Sequence, residues 1–280
     1  MRIASSSAIR RFALLLALTA ARSALAVVAQ DDDPPPEIAR FVPAGFQALD
    51  FALADLDSDG KQDAVLVLRR SDEDVPAHGE APRPLLVLIR QADGRLAQAK
   101  RTERLVYCRA CGGMLGDPYQ RLTAGRGRFT VELAGGTASS HWAVEYTFAY
   151  DAAAKDWLLE EEKNAGDDRN DQPTDDDGEG EERSGWTTVL NRRQLGDIPL
   201  ERFDYEASEK PKDWRVRSDR AYFHDRPDVG SRPRKAYVLR GDRVEGLREL
   251  RDFVEARFTG AKGRSTHGYL LKKDLEPAGP

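Results

Sequence analysis

Residues 141–150, with the sequence HWAVEYTFAY, decide the fold class of this 280-residue chain. Their apolar and aromatic side chains occupy every second position. Successive side chains of a strand point to opposite faces of a sheet, so Trp142, Val144, Tyr146, Phe148 and Tyr150 share one face. The pattern predicts a β-strand with that face toward a core. A platform of rings for a stacked ligand is the alternative interpretation.

Further short apolar runs lie on both sides of this stretch. Residues 64–68 (AVLVL) and 85–89 (LLVLI) have the length and the branched side chains of buried strands. Residues 128–133 (RFTVEL) alternate, and residues 186–190 also have strand character. No long stretch has helical periodicity. The sequence therefore predicts an all-β, mainly antiparallel fold.

Composition excludes several classes of protein. The chain has 43 Lys and Arg against 48 Asp and Glu, a net charge of −5. A nucleic-acid partner requires a basic face, so none is expected. Two cysteines are too few for a disulfide-dense miniprotein, and the composition does not fit a coiled coil or a multi-span membrane protein.

The N-terminus has the pattern of a signal peptide over residues 1–26. Arginines precede an apolar stretch at residues 12–21, and Ala-Leu-Ala at residues 24–26 supplies a small-x-small cleavage site. An uncleaved anchor is the alternative. No later apolar run approaches 18 residues, so no transmembrane segment is expected in the mature chain. We expect a periplasmic or secreted protein.

Changes in composition divide the remaining chain. A charged, proline-rich stretch predicts a disordered spacer over residues 27–40. A β domain is expected over residues 41–205, with an acidic disordered segment at 164–184 that is either an insertion in a hairpin or a domain boundary. A polar linker over residues 206–213 and a compact β module over residues 214–276 follow.

The most specific chemistry lies in the loop DLDSDGKQD at residues 55–63. Four carboxylates so close together repel one another unless a cation lies among them. Gly60 permits the left-handed backbone of a tight wrap, and hard oxygen ligands in this number favour Ca²⁺ over Mg²⁺. Five groups can turn an oxygen inward: Asp55, Asp57, Asp59, Lys61 through its carbonyl, and Asp63.

This loop resembles the calcium loop of FG-GAP or VCBS repeats, in which D-x-D-x-D-G-x-x-D joins two strands. The resemblance implies the same five residues as ligands. Position 12 is Leu66 rather than the glutamate of an EF-hand. Only one such loop occurs, so the hairpin is expected in a β domain that is not a propeller, with calcium in a structural role. A metal-free turn held by aspartate hydrogen bonds is the alternative.

Both cysteines lie in one turn, YCRACGGMLGDP at residues 107–118. In an exported protein, Cys108 and Cys111 most simply form a disulfide. A redox Cys-x-x-Cys and a zinc site are the alternatives. Together with the aspartate loop, this segment resembles a group of exported bacterial proteins of uncharacterised function, and the resemblance carries no reaction.

Residues 214–276 resemble a bacterial SH3-like domain. A Gly-Asp turn at residues 241–242 joins two strands, and His-Gly-Tyr-Leu-Leu leads to a closing Asp-Leu. The resemblance implies a small barrel that binds cell-wall peptides. Tyr222, Tyr237 and Tyr269 are candidate groove residues, with packing in the core or at the rim as the alternative.

No serine-hydrolase elbow, metalloprotease helix, phosphate loop or dinucleotide fingerprint occurs in the sequence. We therefore expect a non-catalytic binding protein with peptidoglycan or an envelope protein as its partner. The alternative is a cell-wall hydrolase or an inhibitor of one.

Overall fold

The computed structural model describes residues 33–168, 186–206, 211–261 and 263–278. This part of the chain is mostly antiparallel β-sheet, which confirms the predicted fold class. The predicted signal peptide, residues 1–26, lies outside the described residues.

Three antiparallel sheets contain the described strands. The first sheet consists of β1 (Phe46–Ala54), β2 (Asp63–Arg70), β3 (Arg83–Arg90) and β4 (Leu96–Val106). The second consists of β5 (Tyr119–Gly125), β6 (Arg128–Gly136), β7 (Ser140–Asp151), β8 (Asp156–Asp168) and β9 (Trp186–Asn191). In both sheets, neighbours along the chain are also neighbours in space.

The third sheet has the strand order β12-β11-β15-β14-β13-β10-β16. Its strands are β10 (Lys212–Val216), β11 (Arg220–His224), β12 (Pro233–Leu239), β13 (Arg243–Glu249), β14 (Phe253–Thr259), β15 (Ser265–Leu271) and β16 (Leu275–Pro277). β10 begins inside the predicted linker, and residues 207–210 of that linker lie outside the described residues.

The helices of the described chain are short. They include α1 (Pro36–Ala39), α2 (Arg192–Leu195) and 3₁₀ turns at Pro76–His78, Arg109–Gly112, Leu200–Arg202 and Lys272–Asp274. Among the described residues there is no helix with the length and apolar character needed to cross a membrane.

The first sheet is buried on both faces. Val65 and Val67 point into the core shared with the second sheet, whereas Leu66 and Leu68 point into a separate core on the opposite face. Burial on both sides explains why residues 64–68 form a continuous apolar run rather than an alternating one.

The chain before β1 covers that second face. Ile38 of α1 is fully buried there beside residues of β2 and β3. This corrects the predicted spacer, because residues 36–39 form a helical turn that packs. Residues 27–32 of the spacer lie outside the described chain.

The alternating face of β7 confirms the predicted orientation. Val144, Tyr146 and Phe148 are buried in the core between the first two sheets. Trp142 and Tyr150, at the two ends of the stripe, are partly buried and pack against that core.

The acidic stretch interrupts a hairpin. β8 and β9 pair in antiparallel register from Glu161 opposite Asn191 to Gly166 opposite Trp186. The structure thus favours an insertion over a domain boundary. It also corrects the predicted start of the segment, since residues 164–168 continue β8. Residues 169–185 lie outside the described chain.

The third sheet curls around a core of its own. Val254 and Ala256 are buried in that core and Phe258 packs against it, as their shared face predicts. On its other face, Phe253 and Tyr269 join the core of the first two sheets. The module therefore packs firmly against the β domain.

Candidate functional site

The aspartate loop joins the ends of β1 and β2, and its backbone turns sharply. Ser58 has a φ of 63° and Gly60 a φ of 88°. The left-handed conformation expected of Gly60 is thus present. Hydrogen bonds between residues two apart in the chain hold the turn: Asp59 N donates to Asp57 Oδ1 at 3.1 Å, and Lys61 N donates to Asp59 Oδ1 at 2.8 Å.

Asp63 anchors the loop from its C-terminal end. Its side chain is fully buried, and Oδ2 and Oδ1 accept hydrogen bonds from Leu56 N and Arg90 N, both at 2.8 Å. Burial raises the pKa of Asp63 above its ordinary value; the two N–H groups oppose this shift, and Asp57 and Asp59 add to it. A cation beside Asp63 would favour its ionised form and so oppose the rise in pKa that the charges of Asp57 and Asp59 cause.

Three of the predicted ligands come together in the structure. Single carboxylate oxygens of Asp55, Asp57 and Asp63 all lie within 4.8 Å of one another. Asp59 points instead to the ammonium group of Lys61, which holds the pKa of Asp59 below its ordinary value. The described geometry therefore separates a cluster of three aspartates from one paired aspartate.

One atom of the cluster has an unmet polar requirement. Asp55 Oδ1 is buried and has no hydrogen-bond partner in the described structure, whereas Asp55 Oδ2 accepts from Gly60 N at 3.2 Å. A buried carboxylate oxygen without a donor is costly. An oxygen-seeking divalent cation would satisfy it, so the residues present fit Ca²⁺.

The loop also links the two sheets. The carbonyl oxygen of Asp55 accepts from Gly127 N in the β5–β6 turn at 2.8 Å, and the carbonyl oxygen of Leu56 accepts from Trp157 Nε1 of β8 at 3.1 Å. Gly127 has a φ of 70°, and a Cβ there would lie 3.1 Å from Ser58 Oγ. Whatever rigidifies this loop therefore rigidifies the junction between the sheets.

The cysteine turn contains the predicted disulfide between Cys108 and Cys111. Beside it, the fully buried guanidinium of Arg83 makes paired hydrogen bonds to Glu73 at 2.8 and 3.0 Å and to Asp117 at 2.6 and 2.7 Å. These bonds fix the turn to the start of β3.

Two of the three candidate groove tyrosines meet on the third sheet. Tyr222 and Tyr237 lie opposite each other on β11 and β12, with ring centroids 5.6 Å apart and side chains 37% and 43% exposed. The guanidinium of Arg220 lies 4.9 Å from the centroid of Tyr237. Leu239 is exposed opposite Arg220. We call Arg220, Tyr222, Tyr237 and Leu239 the tyrosine patch.

Tyr269 does not join the tyrosine patch. Its side chain is only 9% exposed and packs in the core between the third sheet and the β domain, where burial raises its pKa to about 12. The prediction for Tyr269 is therefore corrected to the alternative of core packing.

Several partly buried polar contacts had no local sequence signal. Arg248 of β13 pairs with Glu162 of β8 across the interface between the third sheet and the β domain. Asp50 accepts hydrogen bonds from the Tyr119 hydroxyl at 2.7 Å and from Leu122 N at 3.2 Å. Burial raises the pKa of Asp50 despite these donors. Their partners are far apart in the chain, so only the fold brings them together.

No protein-family model matches this chain, and neither a curated protein nor a solved structure matches it.

Proposed function

We propose that the protein is an exported, non-catalytic binding protein of the cell envelope, stabilised by Ca²⁺ and acting in the periplasm or outside the cell. The disulfide supports an oxidising compartment, because such bonds persist outside the reducing cytosol. The N-terminal signal pattern supports the same compartment.

The tyrosine patch is the observation that carries the binding role. Tyrosine and arginine are the residue types enriched in binding surfaces, where they supply large contact areas and hydrogen bonds. Here two rings and one guanidinium are exposed together on neighbouring strands. Peptidoglycan suits the patch, because its peptide carboxylates complement Arg220 while the rings contact its apolar groups. An envelope protein is the other partner.

Calcium has a structural role in this proposal. Asp55, Asp57 and Asp63 would hold the ion, with the carbonyl of Lys61 and water to complete the six to eight oxygens that Ca²⁺ takes. The bound charge would offset carboxylate repulsion at the junction of the two sheets.

Retention on insoluble cell-wall sacculi tests the binding role. The mature protein should co-sediment, and Tyr237→Ala should weaken retention about tenfold. Arg220→Ala should also weaken it, whereas Arg243→Ala, which removes an exposed arginine elsewhere on the same sheet, should not.

Three outcomes would contradict the proposal: no retention on sacculi or on envelope extracts, retention unchanged in Tyr237→Ala, or a clear zone on a peptidoglycan zymogram. The last would move the protein to the hydrolases.

A further inference from the structure

A row of alternating glycine and tryptophan crosses one end of the second sheet. Gly135 of β6 lies opposite Trp142 of β7, which lies opposite Gly166 of β8, which lies opposite Trp186 of β9. Residues directly opposite in antiparallel strands point to the same face. The two indole rings therefore occupy one face of the sheet.

Each indole lies over the glycine of a neighbouring strand. A Cβ on Gly135 would lie 2.5 Å from Cζ2 of Trp142, and a Cβ on Gly166 would lie 2.8 Å from Cζ2 of Trp186. Only glycine leaves this space. The tryptophans are two strands apart, about 10 Å. Both rings are held against the sheet before any ligand arrives.

This row runs from the edge of the core between the first two sheets, where Trp142 packs, to the exposed outer strand β9. Trp186 is 51% exposed although it is large and apolar. With Trp142, Tyr107 and Tyr205 it lines an open cleft of about 420 Å³. The next row of the sheet adds an amide and a hydroxyl on the same face, Asn164 opposite Thr188. Asn164 Nδ2 donates to Glu162 Oε1 at 2.6 Å, which fixes the amide.

The chemistry of the cleft selects a neutral ligand. None of the described residues that line the cleft is charged, although charged residues make up 32% of the chain. Aromatic rings with a few fixed polar groups suit a ligand that has flat apolar faces and hydroxyl groups. A quaternary ammonium ion instead needs rings that enclose it. Here the two indoles lie about 10 Å apart on one sheet, and the cleft that they line with Tyr107 and Tyr205 is open, so the four rings do not close around a small cation.

We propose that this cleft binds a neutral glycan chain, with sugar rings stacked on Trp142 and Trp186 and hydroxyl groups bonded by Asn164 and Thr188. β9 is the outer strand of its sheet among the described strands, so its backbone adds polar groups beside Trp186. The site differs from the tyrosine patch and does not depend on it.

Calorimetric titration of the mature chain with chitotetraose and cellotetraose tests this proposal. At least one of these neutral tetrasaccharides should bind, with a change in tryptophan fluorescence. Trp186→Ala should weaken binding about tenfold or more, while Trp186→Tyr should retain most of it. Thr188→Val, which keeps the shape of the side chain, should weaken it severalfold. Val189→Ala, an exposed neighbour on the other face of β9, should leave it unchanged.

Other results would overturn the glycan site. They are the absence of binding by both tetrasaccharides at millimolar concentration, binding that is unchanged in Trp186→Ala and Thr188→Val, and binding of tetramethylammonium in place of the sugars. Tyr237→Ala should not alter the titration. Failure here and failure of retention through the tyrosine patch can therefore be told apart.

Discussion

Calcium should stabilise the protein through Asp57, and replacing that residue should abolish the effect. Asp57 contributes an oxygen to the cluster with Asp55 and Asp63, yet it is not the residue that anchors the loop. Asp57→Asn keeps an oxygen that can accept from Asp59 N, so the turn should survive the change. The variant therefore removes one ligand charge with little change in shape.

The expected magnitude follows from mass action. Extracellular calcium sites commonly have dissociation constants of about 10⁻⁴ to 10⁻³ M. Calcium at about ten times the dissociation constant would add about 1.4 kcal/mol to the free energy of unfolding. For a protein of this size that corresponds to a rise in Tm of about 3–6 °C.

Without calcium, Asp57→Asn should have the opposite effect. Fewer carboxylates then repel one another around the buried oxygen of Asp55, so the variant should melt slightly above the wild type. As calcium is added, the wild type should become the protein with the higher melting temperature. Differential scanning fluorimetry in chelator and in millimolar Ca²⁺ would record both melting temperatures.

Asp59→Asn is the matched control. Its carboxylate bonds to Lys61 rather than joining the cluster, so this variant should keep most of the calcium response. Mg²⁺ should stabilise the wild type less, because it demands stricter octahedral geometry. A wild-type Tm that does not change across millimolar calcium, or an equal loss of response in Asp57→Asn and Asp59→Asn, would refute the site.

Three further predictions concern stability. Arg83→Met should lower the free energy of unfolding by about 3–5 kcal/mol in chemical denaturation, because it strands buried Glu73, and adding Glu73→Leu should recover part of the loss. Asp50→Asn should become more stable relative to the wild type as the pH rises from 3.8, the ordinary pKa of aspartate, toward the raised pKa of Asp50 in the folded protein. The reason is that the folded wild type holds the Asp50 proton more tightly than the unfolded chain and loses stability when it must release it. Melting temperatures of the two proteins that stay parallel from pH 3 to 7 would contradict this. Denatured, unreduced protein should show no alkylatable thiol, and replacing Cys108 and Cys111 by serine should cost about 2 kcal/mol in the same denaturation assay.

The fold class followed from local periodicity. The stripe on β7 and the run at residues 64–68 each predict a strand, because the face that a strand side chain occupies depends only on its position in the chain. The disordered spacer predicted over residues 27–40 was wrong at residues 36–39, which form α1. Its proline-rich composition resembles a linker, and the burial of Ile38 depends on a sheet that lies elsewhere in the sequence.

The candidate sites likewise include features that the local sequence indicates and features that only the fold reveals. The aspartate loop is contiguous, so its spacing alone indicates a cation site, but the pairing of Asp59 with Lys61 depends on how the loop folds in three dimensions. Tyr269 and Tyr222 have similar local surroundings in the sequence, and only the packing of the third sheet against the β domain buries one and exposes the other.

Local spacing by itself determined the aspartate loop, the disulfide and the strands with a clear apolar pattern, such as those at residues 64–68, 85–89, 128–133 and 141–150, since each depends on residues that are near neighbours in the chain. The tertiary structure alone decided the buried Arg83 cluster, the interface pair of Arg248 and Glu162, and the row of glycines and tryptophans. Each of these forms only when strand register brings distant residues together, and register is set by packing across the whole sheet.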